Sequence, residues 1–112
     1  MSINPTETLQ AFWMLCIVHA LCDYPLQGDF MAKAKNPVQP IEGVPWQWPM
    51  FAHCMIHAGG VWLVTGSFLC ACGEVFAHWV LDELKCRGII GFTADQSGHL
   101  TCKALWALAG LR

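Results

Sequence analysis

The chain has 112 residues, of which 55% are hydrophobic and 12% are charged, and its net charge is −2. A typical soluble domain carries about 25% charged residues, whereas residues 43–73 contain none. This composition favours a single membrane-embedded domain over residues 1–112, and the lack of a basic field argues against nucleic acid as a partner. A very apolar soluble helical bundle that hides its surface in a homo-oligomer is the alternative.

The first predicted helix begins at a cap formed by Asn4 and ends near Tyr24, because Pro25 follows. Residues 25–48 form a polar and proline-rich connection. Within it, the stretch LQGDFMAKAK is expected to form a short surface helix. The connection therefore separates the first long helix from the rest of the chain.

Three more long helices are predicted beyond the connection. The second covers about residues 49–64 and the third about residues 68–85, with a tight break at Thr65-Gly66-Ser67 between them. The fourth begins at a capping box made by Thr93 and Gln96 and ends near Gly110. The expected fold is all-α: an up-down-up-down four-helix transmembrane bundle with a polar, partly helical connection between its first two helices.

Each predicted long helix carries two ionisable residues four positions apart, a spacing that places both side chains on one helical face. The pairs are His19 with Asp23, His53 with His57, His78 with Asp82, and Asp95 with His99. In an up-down bundle the ends of the first and third helices lie beside the starts of the second and fourth. The four pairs are therefore expected to meet at one level of the bundle.

Two further charges lie one turn deeper than these pairs. Glu74 precedes His78 by four residues, and Lys103 follows His99 by four. Their depths should match, and we expect the two side chains to form an ion pair, because an unpaired charge at that depth would be costly.

Imidazoles and carboxylates on facing helices are ligands that helical bundles use for divalent transition metals such as zinc, manganese or iron. All eight paired residues are therefore predicted metal ligands. Because they exceed one tetrahedral shell, either two metals bind or some of the residues act as supporting groups and bases. Asp23, Asp82 and Asp95 are candidate catalytic residues, since a metal with an open position activates water for hydrolysis. A purely structural polar network and a proton path are the alternatives.

Several residues outside the eight are given supporting roles. Those expected next to the site are Gln27, Glu74, Lys85, Gln96 and Lys103. The basic residues beside the connections are expected either to anchor the chain at the cytoplasmic face or to bind an anionic head group; they are Lys33, Lys35, Lys85 and Arg87. By the positive-inside rule, both termini would then face the opposite side. Gly59 and Gly60 are expected to permit close helix packing.

Four stretches of the chain carry a resemblance to a known family. HALCDYPLQGDFMAKAKN, AHCMIH, AHWVLDELKCRG and TADQSGHL resemble the small bacterial and phage membrane proteins called domain of unknown function 3307. The positions that match the family pattern are His19, Asp23, Gln27, His53, His78, Asp82, Lys85, Asp95, Gln96 and His99. The compact form with its KCRG loop resembles the phage members. The resemblance implies an integral membrane protein, expected in the inner membrane of a phage-infected host, and supplies no activity.

The functional hypothesis from the residues is a metal-dependent hydrolase in contact with the lipid bilayer. Its substrate would be a lipid, a lipid-linked molecule or another phosphoester. A non-enzymatic phage membrane protein, such as a holin-like or host-exclusion factor, is one alternative. A proton or ion conductor that uses the same polar stripe is the other.

Overall fold

The computed structural model describes residues 4–110, which form four long helices and one short helix, with no strand in this range. The elements are α1 (Pro5–Asp23), the short α2 (Gly28–Ala34), α3 (Gln47–Thr65), α4 (Phe68–Cys86) and α5 (Phe92–Gly110). Each long helix has 19 residues and a length of about 28 Å. The all-α prediction, including the short helix in the first connection, is confirmed.

The four long helices pack as a square. α1 contacts α3 and α5 along its length, and α4 contacts the same two helices from the opposite corner. The short α2 packs against α3. Because chain neighbours run antiparallel, the last turns of α1 and α4 lie at the same end as the first turns of α3 and α5. This is the predicted up-down-up-down arrangement.

Local sequence signals account for most helix ends. The Asn4 side chain accepts a hydrogen bond from the backbone N–H of Thr6 at 3.0 Å, which caps α1. α3 ends at Gly66, whose φ of 70° is the left-handed conformation that glycine adopts without strain. Ser67 then caps α4 by accepting a hydrogen bond from the backbone N–H of Cys70 at 3.1 Å.

The predicted start of the last helix is wrong. α5 begins at Phe92, one residue before the expected cap Thr93, so Thr93 already lies inside the helix. The Gln96 side chain does not close a capping box. Instead it points into the bundle, where it hydrogen-bonds to His19 and Asp23. Gln96 therefore belongs to the polar interior and not to a cap of α5.

The interior of the bundle is unusually polar. Of the buried residues in the described range, leaving aside glycine and proline, eleven are apolar and eleven are polar or charged. The apolar cluster occupies the end of the bundle that holds the α3–α4 turn and consists of Ala11, Leu15, Val61, Cys70 and Ala107. The polar residues fill the other end, where α1 and α4 finish. Soluble proteins rarely bury so many ionisable groups, and such groups need partners when they do.

The outer surface shows the complementary pattern, with many large apolar side chains exposed. Trp13, Trp48, Leu63, Leu69 and Phe76 are each at least two-thirds exposed. Among residues 4–110, none of the helices alone is both long and apolar enough to cross a membrane, and α1 with α2 meets that standard only as a pair bent by 84°.

Glycine sets the distance between α3 and α1 at one point. A Cβ added to Gly60 would overlap the Val18 side chain, whereas one added to the neighbouring Gly59 would meet nothing within 4 Å. The expectation of close packing therefore holds for Gly60 and is wrong for Gly59. Because valine is stiff at its branched carbon, α1 has little room to accommodate a larger residue there.

We predict that Gly60→Ala destabilises the protein by about 1–3 kcal/mol, because overpacking forces the two helices apart. The matched change Gly59→Ala should leave stability unchanged or raise it by up to about 1 kcal/mol, because alanine favours helix. Thermal unfolding of the two purified variants checks this. Equal stability of the two variants would contradict the assigned contact.

Candidate metal centre

All five histidines meet at the polar end of the bundle. Each is at most 3% exposed, and the ring centroids of neighbouring imidazoles lie 3.8 to 6.5 Å apart. They are His19 on α1, His53 and His57 on α3, His78 on α4 and His99 on α5. The three aspartates of the predicted pairs lie in the same region and contact histidines from these helices. The predicted convergence of the four pairs on one level is confirmed.

Four ligand atoms from three helices surround one point. The Oδ1 atom of Asp23 lies 3.2 Å from Nε2 of His53, 3.0 Å from Nε2 of His57 and 3.8 Å from Nε2 of His78. The Nε2 atoms of His53 and His78 are 3.1 Å apart. These four residues are buried and offer ligand atoms close enough to share one metal ion.

The spacing of these atoms fits a small divalent metal. A tetrahedral shell with bonds of about 2.1 Å places its ligand atoms about 3.4 Å from one another. Four of the six separations between the ligand atoms of Asp23, His53, His57 and His78 range from 3.0 to 3.8 Å, on both sides of this value, and all six are below 4.8 Å. Three imidazole nitrogens with one carboxylate oxygen is a donor set that zinc, manganese and iron all accept.

The histidine rings turn the same nitrogen inward. Nε2 of His19, His53 and His57 faces Asp23, while Nδ1 of each ring is buried without a hydrogen-bond partner in the protein. Since buried polar atoms usually have partners, this orientation costs free energy at the outer nitrogens. The cluster is therefore organised around its centre, as ligands around an ion are.

A buried ion pair holds the ring of His78 in place. Glu74 Oε2 lies 3.1 Å from Nδ1 of His78, and Lys103 donates to both oxygens of Glu74 at 2.8 Å. The indole N–H of Trp106 adds a third donor at 2.9 Å. The predicted Glu74–Lys103 pair is confirmed. An imidazole whose Nδ1–H donates to a carboxylate presents a free Nε2 lone pair, which is the form that binds metals.

The contact also shows which neighbour on α4 the ring of His78 meets. His78 lies four residues from both Glu74 and Asp82, and its ring contacts Glu74, the deeper of the two. Asp82 points toward the end of the bundle instead. There it forms an ion pair with Lys35, the residue that follows α2, and its Oδ2 lies 3.6 Å from Nε2 of His53.

Lys35 was expected at the surface, and that expectation is wrong because the side chain is only 3% exposed. Lys35 pairs with Asp82, whose Oδ1 also lies 3.7 Å from Nζ of Lys85. The same Nζ lies 3.7 Å from Oδ2 of Asp95. Lys85 remains 29% exposed. It is thus the cation of the site that reaches the solvent-facing end, whereas Lys33 pairs with Asp29 on the open surface.

The remaining predicted members have distinct contacts. Gln96 links three groups, with its amide nitrogen 3.0 Å from Asp23 and 3.1 Å from Asp95 and its oxygen 3.1 Å from His19. Gln27 does not reach the cluster with its side-chain nitrogen, which donates to the backbone oxygen of Asp23 at 3.0 Å and so closes the end of α1. Both observations place these glutamines as supports of the ligands.

The formal charges of the site do not balance. The site holds four carboxylates, from Asp23, Glu74, Asp82 and Asp95, and three ammonium groups, from the buried Lys35 and Lys103 and the partly exposed Lys85. When the imidazoles are counted as neutral, one negative charge is left over. A bound cation at the centre of the histidines would compensate it, which agrees with the donor set.

The chain matches, over residues 11–109, the family described as "Protein of unknown function (DUF3307)". It belongs to this family. No curated protein and no solved structure matches the chain. The matched range contains the whole His/Asp cluster and the Glu74–Lys103 ion pair of this chain.

In this DUF3307 protein, Lys103→Met should destabilise the fold by about 3–5 kcal/mol, because the Glu74 carboxylate would lose its charge partner in the interior. The double variant Glu74→Gln, Lys103→Met removes both charges and should recover most of that loss. Denaturant unfolding of the three proteins measures the difference. A single variant as stable as the unaltered protein would refute the importance of the pair.

Proposed function

We propose that this chain is a membrane-embedded metalloprotein whose His/Asp centre hydrolyses an anionic ester, with a phosphoester or a lipid-linked phosphate as the substrate class. The observation that carries the proposal is the group formed by Asp23, His53, His57 and His78. Its ligand atoms have the spacing of a metal shell and lie inside a bundle whose exterior is apolar. Each part of the proposal is supported by a different set of contacts.

The metal-binding part is supported by donor chemistry, geometry and charge together. Three imidazoles and a carboxylate converge from three helices, and the surrounding charges leave an excess of one negative charge. A divalent metal bound there would supply a water molecule of lowered pKa. The protein contributes the ligands and, beside them, the carboxylates of Asp82 and Asp95.

Asp82 is the residue that we assign as proton acceptor. Its Oδ2 lies 3.6 Å from Nε2 of His53, so it borders the four-ligand group without belonging to it. Lys35 holds this carboxylate in position. Lys85, which is 29% exposed and next to Asp82, is placed to attract the anionic group of a substrate that approaches from the end of the bundle.

The distribution of charge supports a lipid surrounding. The helix segments away from the site contain no Asp, Glu, Lys, Arg or His; these segments are residues 8–18, 58–65, 68–73 and 104–110. Their outward side chains are large and apolar. Such a surface requires lipid or another apolar partner to cover it, and the helices of about 28 Å approach the roughly 30 Å of a bilayer core.

The polar stripe explains why hydropathy alone does not single out a spanning helix. Each long helix turns its pair of ionisable residues inward, as His78 and Asp82 do on α4, and these pairs lower the mean hydropathy of the whole helix. Lipid would meet only the outer face. The bilayer we propose is the bacterial inner membrane of a phage-infected host, with the Lys85 and Arg87 end at the cytoplasmic face.

A proton conductor fits the same residues less well. A hydrogen-bonded chain does run from His53 through His78 and Glu74 to Lys103. It ends there, because the segments between that level and the far end of the bundle carry no Asp, Glu, Lys, Arg or His. A path across a bilayer would need groups or water beyond this point.

The test is the metal content of detergent-purified protein together with hydrolysis of a generic phosphoester. The unaltered chain should hold a stoichiometric divalent metal and be active. His57→Ala and Asp23→Asn should reduce metal affinity by at least about tenfold, because each removes a ligand. Asp29→Asn is the matched control, since Asp29 is 83% exposed and pairs only with a surface lysine.

Metal-free protein with unchanged activity would overturn the proposal. So would a proton flux through liposomes that contain metal-free protein, because a conductor needs no ion at the centre. Activity with bound metal in Asp29→Asn and its loss in Asp23→Asn would support it.

A further inference from the structure

A group of three histidines lies beside the proposed four-ligand group. It consists of His19 on α1, His78 on α4 and His99 on α5, whose ligand atoms all lie within 4.8 Å of one another. Each of these residues is at most 3% exposed. Three histidines are a sufficient ligand set for zinc, whose fourth position is then free for water or another ligand. The three residues therefore have the composition and spacing of a metal position of their own.

His78 belongs to both groups but has one nitrogen to give. Its Nδ1 faces Glu74 at 3.1 Å, whereas its Nε2 faces the other imidazoles and lies 3.1 Å from Nε2 of His53. Because one imidazole lone pair binds one ion, the two groups cannot both be filled with their full sets of ligands. They are alternative positions for a single ion.

The two groups lie at different depths in the bundle. His19 precedes Asp23 by four residues on α1 and so lies about 6 Å further from the polar end. The four-ligand group contains Asp23 and His53, which are nearest that end, and Asp82 borders it at 3.6 Å from Nε2 of His53. The four-ligand group is therefore the outer position, and the three-histidine group is the inner position.

The contacts of the ligands favour the outer position. Only the outer group includes a carboxylate, that of Asp23, which attracts a dication more strongly than a neutral imidazole does. The inner histidines have other partners, since Nε2 of His19 lies 3.1 Å from Oε1 of Gln96 and Nε2 of His99 lies 3.1 Å from Oδ1 of Asp95. An ion that moves inward has to displace both contacts.

We propose that a single divalent ion has two alternative positions in this bundle, the outer four-ligand group and the inner three-histidine group, and that His78 binds it in both. The inference rests on the metal-binding part of the proposed function. The move is an exchange of ligands around one ion, so it needs neither an oxidant nor a reductant. An ion in the inner position is separated from Asp82, the assigned proton acceptor, and the inner position therefore holds the metal in a resting form.

The experiment measures zinc bound per detergent-purified full chain by dialysis against a series of free zinc concentrations. The unaltered protein and the surface control Asp29→Asn should each bind one ion with equal affinity. The double variant His53→Ala, His57→Ala should still bind one ion, at least about tenfold more weakly, because only the inner position remains. Adding His99→Ala to the double variant should abolish saturable binding.

Each other result has a definite meaning. A double variant that binds no zinc, or one that binds equally well after His99→Ala is added, would overturn the inner position and leave the proposed function standing. Two ions in the unaltered protein would contradict the sharing of one ligand. An unaltered protein without zinc would overturn the inference and the proposed function together.

A second measurement covers the case in which the double variant fails to fold. Asp23→Asn keeps the size of the side chain and removes the charge that favours the outer position. At saturating zinc, nitrogen-15 NMR of this variant with labelled histidines should show zinc-bound nitrogens in His19 and His99. Zinc-bound nitrogens confined to the histidines of α3 and α4 would contradict the inner position, and so would a failure to bind zinc.

Discussion

The arrangement of the helices depends on a single buried carboxylate. Asp23, at the last residue of α1, lies 3.0 Å from His57 on α3 and accepts a hydrogen bond from Gln96 on α5 at the same distance. The Asp23 side chain is only 9% exposed, so its carboxylate is stabilised mainly by these protein contacts. Three helices are thereby fixed at one level, and the remaining imidazoles are brought within contact of each other.

This contact accounts for both the polar interior and the apolar outer surface of the bundle. Toward the centre, the histidines crowd around one point, with Nε2 of His19, His53 and His57 turned toward Asp23. Toward the outside, the segments that carry no ionisable groups expose their large apolar side chains. Polar interior and apolar exterior are two aspects of one pattern, because each helix has only one face on which to concentrate its charges.

Much of this could be predicted from the sequence, because helical periodicity and chain direction are local properties. The four-residue spacing and the alternation of helix direction were enough to place the pairs on one level and to match Glu74 with Lys103. The choice of His78 between Glu74 and Asp82 was not predictable, since both are four residues away and the rotation of α4 decides between them. Trp106 was detectable, because it follows Lys103 by three residues on the same face.

Lys35 illustrates the other limit. Its position depends on the 84° bend between α1 and α2, which folds the short helix over the end of the bundle. Neither periodicity nor composition encodes that bend. The charge of Asp82 required a partner, but the sequence offered several lysines, and only the packing of α2 on α3 selects among them.

X-ray absorption at the metal edge tests the central claim most directly, because it reports the ligands of a bound ion. For zinc-loaded protein, the account predicts ligand atoms at about 2.0–2.1 Å from the zinc. It also predicts the more distant scattering of about three imidazoles for the ion held by the four-ligand group. A spectrum of oxygen ligands without imidazole scattering would contradict it, since the ion would then lie outside the histidine cluster.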